Sequence, residues 1–159
     1  MSTAFGCPFE GEVPAGRVVE LAGRGAAAGF DELCLGDTIG VGTPAQVRDL
    51  TARVRAAVGE RPPLRYHFHN TRNTGFANAY AAVLDGVTVL DASAGGIGGC
   101  PFAPNATGNI ATDDLVWMLE RMGMDTGWDL AALLPTARFL TGHLGHRVPA
   151  MLPRAGSFP

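Results

Sequence analysis

Leu64-Arg65-Tyr66-His67-Phe68-His69-Asn70 reads as a short strand that ends in two histidines. Residues two apart on a strand point to the same face, so His67 and His69 project side by side. Two imidazoles at one strand end suit a divalent metal. A lone histidine is more often a satisfied core or surface residue. An inward-facing pair is different, because four ring nitrogens need partners. The spacing alone leaves a metal or catalytic role and a structural role both open.

The flanking sequence repeats a strand-then-helix pattern. Ser2 to Gly6 reads as the tail of a strand. Pro14 opens a helix that runs to about Ala28, where Gly29 ends it. Glu32 to Leu35 is a short strand leading into the loop Gly36-Asp37-Thr38-Ile39-Gly40. Thr43 caps a helix with Pro44 at its first position, running to about Val58. After the histidine strand come a helix from Asn73 to Leu84 and a strand from Val87 to Asp91. Thr112 is expected to cap the next helix, with Asp113 and Asp114 in its first turn, where carboxylates favour the dipole. Leu130 to Thr141 forms a last helix. About four strands alternating with helices predict an α/β fold, a parallel sheet covered by helices. A full eight-stranded barrel takes about 250 residues, so a chain of 159 residues holds about half of one. The expected architecture is a single partial-barrel domain over residues 1–159, about four parallel βα units plus a C-terminal helix.

The net charge of −3 and the lack of a dense Lys/Arg run leave no nucleic-acid footprint. No apolar stretch reaches the roughly 20 residues that cross a bilayer. The segment Met1 to Gly6 does not read as a secretory signal. Cys7, Cys34 and Cys100 are dispersed and odd in number, which fits a reducing compartment, with cytoplasm the default. His143 and His146 lie in a Pro- and Gly-rich tail and read as solvated or structural.

Two further places carry chemistry. The glycine-rich run Gly95-Gly96-Ile97-Gly98-Gly99-Cys100-Pro101, continuing to Gly108-Asn109, allows backbone conformations closed to other residues. Cys100 is poorly suited to a core from within such a loop, and a tuned thiol can act as acid or base. Asn109 offers a neutral oxygen ligand, which hard cations such as Mg²⁺ or Mn²⁺ accept beside imidazole. Asp37 follows a strand and precedes a loop. It reaches the same mouth as the histidines, or it caps its own loop in an Asx-type turn; the spacing favours neither. The special residues all follow strands, the end at which parallel barrels hold their sites.

Cys7-Pro8-Phe9-Glu10-Gly11, Leu35-Gly36-Asp37-Thr38-Ile39-Gly40-Val41-Gly42-Thr43-Pro44, His67-Phe68-His69 and Gly96-Ile97-Gly98-Gly99-Cys100-Pro101 through Gly108-Asn109 together resemble hydroxymethylglutaryl-CoA lyase. That family is a metal-dependent TIM-barrel lyase. The likeness runs through nearly the whole chain, in motif order, and matches the carboxyl-terminal half of the barrel, strands five to eight. It implies cleavage of 3-hydroxy-3-methylglutaryl-CoA to acetyl-CoA and acetoacetate, with Mg²⁺ or Mn²⁺ held against the substrate's hydroxyl and carboxylate oxygens. It implies metal ligands at His67, His69 and Asn109. Cys100 would help protonate the acetyl-CoA enolate, and Asp37 would be the active-site aspartate after strand six. Gly99-Cys100-Pro101 argues for lyase over the related condensing enzymes.

Two departures bear on this reading. Asn70 stands where many lyases carry aspartate, which admits a related 3-hydroxyacyl-CoA as substrate. Nothing here matches the family's Asp-Arg-Glu-like first strand, which supplies a metal aspartate and a catalytic arginine. A half-barrel leaves sheet edges and an apolar face open, so a homo-oligomer or a separate amino-terminal half-barrel is the expected partner, and the isolated chain is expected to be weak or inactive. The alternatives are a truncated non-catalytic remnant, a subunit of a split enzyme, or a metal-dependent aldolase acting on a 2-oxo acid.

Overall fold

The computed structural model describes residues 1–100, 108–156 and 158. They form two compact units, Met1–Asp91 with Cys100, and Ala92–Gly99 with the chain from Gly108 onward.

The first unit opens with a two-residue antiparallel hairpin, β1 (Gly6–Cys7) against β2 (Gly11–Glu12). Helix α1 (Ala15–Ala27) follows, then β3 (Leu33–Asp37), α2 (Pro44–Val58), β4 (Leu64–Phe68), α3 (Gly75–Leu84) and β5 (Val89–Asp91). Strands β3, β4 and β5 lie side by side in that order, all parallel. The fold is therefore α/β with a parallel sheet and helices, as the alternating pattern predicts. Among the described residues three strands make this sheet, not four. The segment expected as a strand tail, Ser2 to Gly6, divides differently. Met1 accepts from the Gly36 amide and Ala4 donates to the Gly36 carbonyl, both at 2.9 Å, so the chain start lies along the free edge of β3. Gly6 then turns into the hairpin.

Local chemistry explains the helix limits. Phe30 N donates to Gly25 O at 3.1 Å and Gly29 N to Ala26 O at 3.0 Å, a Schellman closure of α1 with Gly29 at φ +81°. Thr43 and Gln46 form a reciprocal capping box ahead of Pro44 at the start of α2. At the other end of α2 the Arg55 guanidinium donates to the carbonyls of Gly59, Glu60 and Pro62.

Strand parity sets the core. Leu64, Tyr66 and Phe68 are fully buried on one face of β4, and Leu33 and Leu35 share that face of β3. Tyr66 and Phe68 stack at 5.2 Å, and the Tyr66 hydroxyl meets Thr51 of α2 at 2.9 Å. Val47, Leu50 and Val54 are the buried stripe of α2, spaced three and four apart. Burying a side chain of this size stabilises by roughly 1.5–3 kcal/mol.

The second unit begins with a short 3-10 turn, Ala94–Gly96, and a parallel bridge between Ser93 and Ala111. Helices α4 (Thr112–Arg121), α5 (Leu130–Leu144) and α6 (Leu152–Ala155) follow. Thr112 does not cap α4, contrary to expectation: Ala111 stands at the cap position without a side-chain bond, and Thr112 is the first helical residue. Asp113 instead turns back to accept from Gly95 N at 2.7 Å. Asp114 receives Met151 N and Leu152 N, at 2.8 and 2.7 Å, closing the start of α6. No helix among the described residues is long and apolar enough to cross a membrane.

Candidate functional site

The opposite parity of β4 carries Arg65, His67 and, just past the strand, His69. The two imidazoles stand 5.1 Å apart between ring centroids, inclined at 63°, on one face of the strand as expected. Their surroundings differ. His67 Nδ1 is bonded to a carboxylate oxygen of Asp91, its register partner on β5. A carboxylate only accepts, so that nitrogen carries the proton and Nε2 is left over. His69 is 4% exposed, and its Nδ1 is buried without a hydrogen-bond partner among the described residues. Burial first, and the neighbouring His67 second, hold the His69 imidazole below its ordinary pKa, so it stays neutral. Neutral imidazoles with an unengaged nitrogen are what a divalent cation needs. The pair thus fits a metal ion, with a buried nitrogen that water does not reach. It supplies two donors. Among the described residues no group of three or more His, Cys, Asp or Glu converges as a metal site.

Below the histidines runs a charged row. Arg65 Nη2 meets Glu32 at 2.7 Å, and its Nη1 lies 3.7 Å from the second Asp91 oxygen. Cys34 is the register partner of Arg65. Burial, and then the Asp91 charge, push the Cys34 thiol up, which makes it a poor nucleophile.

Asp37 sits elsewhere. It pairs in register with Phe68, so it shares the face of the buried aromatics, away from the histidines. It is 1% exposed, and its two oxygens accept from Val41 N at 2.9 Å and Gly42 N at 3.0 Å. Of the two readings open for Asp37, this geometry is that of the loop-capping one. Desolvation raises its pKa despite those amides. Asn78 of α3 pins the same loop, donating to Gly42 O at 2.9 Å.

Asn109 belongs to the second unit, where the glycine run is shaped around it. Its Nδ2 donates to Ile97 O at 2.9 Å, which orients the carboxamide and leaves its oxygen as the acceptor end. A Cβ on Gly98, at φ +102°, would come within 2.8 Å of that Nδ2. Cys100 is a free, half-buried thiol of the first unit. The rest of its motif, Pro101 to Thr107, lies outside the described residues. His143 and His146 are exposed, and each Nδ1 bonds to a backbone carbonyl. Cys7 and Cys34 are free thiols as well.

A family model described as HMGL-like matches residues 1–140. The chain belongs to the HMGL-like family. The HMGL-like chain is 44% identical over 156 residues to (R)-citramalyl-CoA lyase of Chloroflexus aurantiacus, covering 98% of this chain and 49% of that protein. It is 43% identical over 150 residues to hydroxymethylglutaryl-CoA lyase of Bacillus subtilis, covering 94% and 50%. Among solved structures it superposes on an HMG-CoA lyase from Acinetobacter baumannii, in complex with coenzyme A and 3-methylmalate. That match has a TM-score of 0.92 and 43% identity, over 98% of this chain and 50% of that one. This HMGL-like chain spans about half the length of the relatives it matches.

Asp91 is the site residue that the sequence reading missed. It closes a strand that the sequence marks, but its role depends on β5 lying beside β4 in a particular register. The available signal was positional: an acidic residue at the end of the strand that follows the histidines.

Proposed function

We propose that this chain supplies the histidine-bearing half of a carbon–carbon lyase. Its reaction is cleavage of 3-hydroxy-3-methylglutaryl-CoA to acetyl-CoA and acetoacetate, or the corresponding cleavage of a related 3-hydroxyacyl-CoA. The observation that carries the reading is the imidazole pair on one face of β4, 5.1 Å between ring centroids, with His67 Nδ1 engaged by Asp91. Family membership and the named relatives support it.

In this reading His67 and His69 hold Mg²⁺ or Mn²⁺ through ring nitrogens, and the Asn109 carboxamide oxygen is a further ligand. The ion supplies Lewis acidity toward the substrate hydroxyl. The Cys100 thiol delivers a proton to the acetyl-CoA methylene carbon as the carbon–carbon bond breaks. Asp37 contributes by holding the 36–42 loop, since both its oxygens are taken by that loop's amides. The half-length match supports a partial barrel, strands five to eight, completed by a second copy or by a separate amino-terminal half.

The test is acetoacetate release from 3-hydroxy-3-methylglutaryl-CoA with Mg²⁺ or Mn²⁺. It is run on the chain alone and after co-expression with the amino-terminal half of the Bacillus subtilis relative. Citramalyl-CoA goes in parallel, because a citramalyl-CoA lyase is as similar as the hydroxymethylglutaryl-CoA lyases. Turnover of either thioester in the reconstituted protein is expected. Cleavage of a 4-hydroxy-2-oxo acid with neither thioester turned over would replace this reading with the aldolase.

A further inference from the structure

The two histidines of β4 are unequal, and the inequality is built by neighbours rather than by the histidines. His69 has a buried Nδ1 with no hydrogen-bond partner among the described residues. His67 has its Nδ1 on Asp91, across the β4–β5 ladder. Asp91 is itself flanked. Arg65 lies one pleat before His67 on the same face, with one guanidinium nitrogen 2.7 Å from Glu32 and another 3.7 Å from Asp91 Oδ2. A line of alternating charge therefore runs Glu32, Arg65, Asp91 to His67, from just before β3 to β5.

Each link has a physical consequence. Glu32 fixes the planar fork of Arg65. Arg65 lies beside Asp91 Oδ2, and the other oxygen, Oδ1, faces His67. An ionised carboxylate beside Nδ1 accepts only, which forces the neutral ring into the Nδ1–H form and leaves Nε2 as the basic nitrogen. Free imidazole side chains in water prefer the other tautomer.

We propose that Asp91, clamped by Arg65, is the positioning residue of His67: it selects the tautomer and aims Nε2 at the open face. The consequence for an ion rests on the function proposed above, whereas the tautomer does not. Removing a carboxylate that orients a ligating histidine costs about 10–100-fold in metal affinity.

Long-range proton–nitrogen correlation spectra of the ¹⁵N-labelled, metal-free full chain, at a pH where imidazoles are neutral, read the tautomer directly. His67→Ala identifies the resonances. Wild-type His67 is expected as Nδ1–H. Asp91→Ala and Asp91→Asn shift it toward Nε2–H, Arg65→Met shifts it part of the way, and Asp91→Glu restores it. Mn²⁺ binding, followed by electron paramagnetic resonance, weakens about 10–100-fold in Asp91→Ala. If Asp91→Ala fails to fold, the Asn and Glu variants decide the same question.

An unchanged His67 tautomer and unchanged Mn²⁺ affinity in the Asp91 variants would overturn the proposal and leave the lyase reading standing. A tautomer shift in a chain that binds no Mn²⁺ would keep the positioning role and remove the metal. An unchanged tautomer in Arg65→Met would remove Arg65 from the device.

Discussion

His69 shows what one buried nitrogen does to a pH profile. Its pKa is lowered from 6.5 by burial and by His67. Between the lowered folded value and 6.5 the unfolded chain binds more protons than the folded one, so stability rises with pH across that window. Acidification from neutral pH through this window should lower the urea midpoint, and His69→Asn should flatten that part of the profile. A fall of equal steepness in the variant would assign the effect to other groups. Cys100 and His67 divide differently. In a complete assembly Cys100→Ala should cut turnover and leave Mn²⁺ affinity nearly intact, whereas His67→Ala should reduce affinity first. Calorimetric titration with Mn²⁺, paired with turnover assays, separates the two; equal loss of metal in both variants would contradict the assigned roles.

The same residues show how far a sequence can be read. His67 and His69 were legible because strand parity is a local property and two imidazoles on one face are chemically conspicuous. Asp37 was legible too, in a signal that went unweighed. It continues the parity of Leu33 and Leu35, so it belongs with the buried face. Asp91 was not legible as His67's partner, because 24 residues and a helix separate them and only the ladder register joins them.

At the scale of elements, α2 was predicted with its observed limits because its ends are written in local code. Thr43, Pro44 and Gln46 open it, and Gly59 follows it at φ +76°. Thr43→Ala should cost about 1 kcal/mol, as loss of such a cap does, read from chemical denaturation. The loop between β3 and α2 depends instead on a distant tie. Asn78 is fully buried, and its bond to Gly42 O ties α3 to that loop. Asn78→Ala strands a buried carbonyl, and about 1–3 kcal/mol of stability should be lost. Elements lacking such code were misjudged. Thr112 resembles a cap by composition, yet the carboxylates of Asp113 and Asp114 bond to Gly95 and to the start of α6, tertiary partners that no window of sequence contains.

For the whole molecule, the chain covers about half of its relatives. A bound ion stabilises the form that binds it, by about 2.7 kcal/mol at a hundredfold excess over Kd. Mn²⁺ should therefore raise the melting temperature and chelation reverse the rise. His67→Ala should abolish the effect, and Asn109→Ala should reduce it. A melting temperature indifferent to Mn²⁺ in the wild-type chain would count against the metal role of all three. The parallel sheet, the helix order and the family were within reach of pattern and motif. The division of the described residues into two compact units was not, because it depends on contacts between distant segments that local signals do not encode.

The two sides of β4 answer to separate demands. Leu64, Tyr66 and Phe68 belong to the packed interior, and Arg65, His67 and His69 to the candidate site. The half-buried positions 65 and 67 can therefore be rewritten with less effect on folding than the buried positions 64, 66 and 68. A saturation library over residues 64–68, sorted separately for soluble yield and for turnover, should show two interleaved combs of tolerance, offset by one residue. Changes on the candidate-site face of this strand then need no rebuilding of the core.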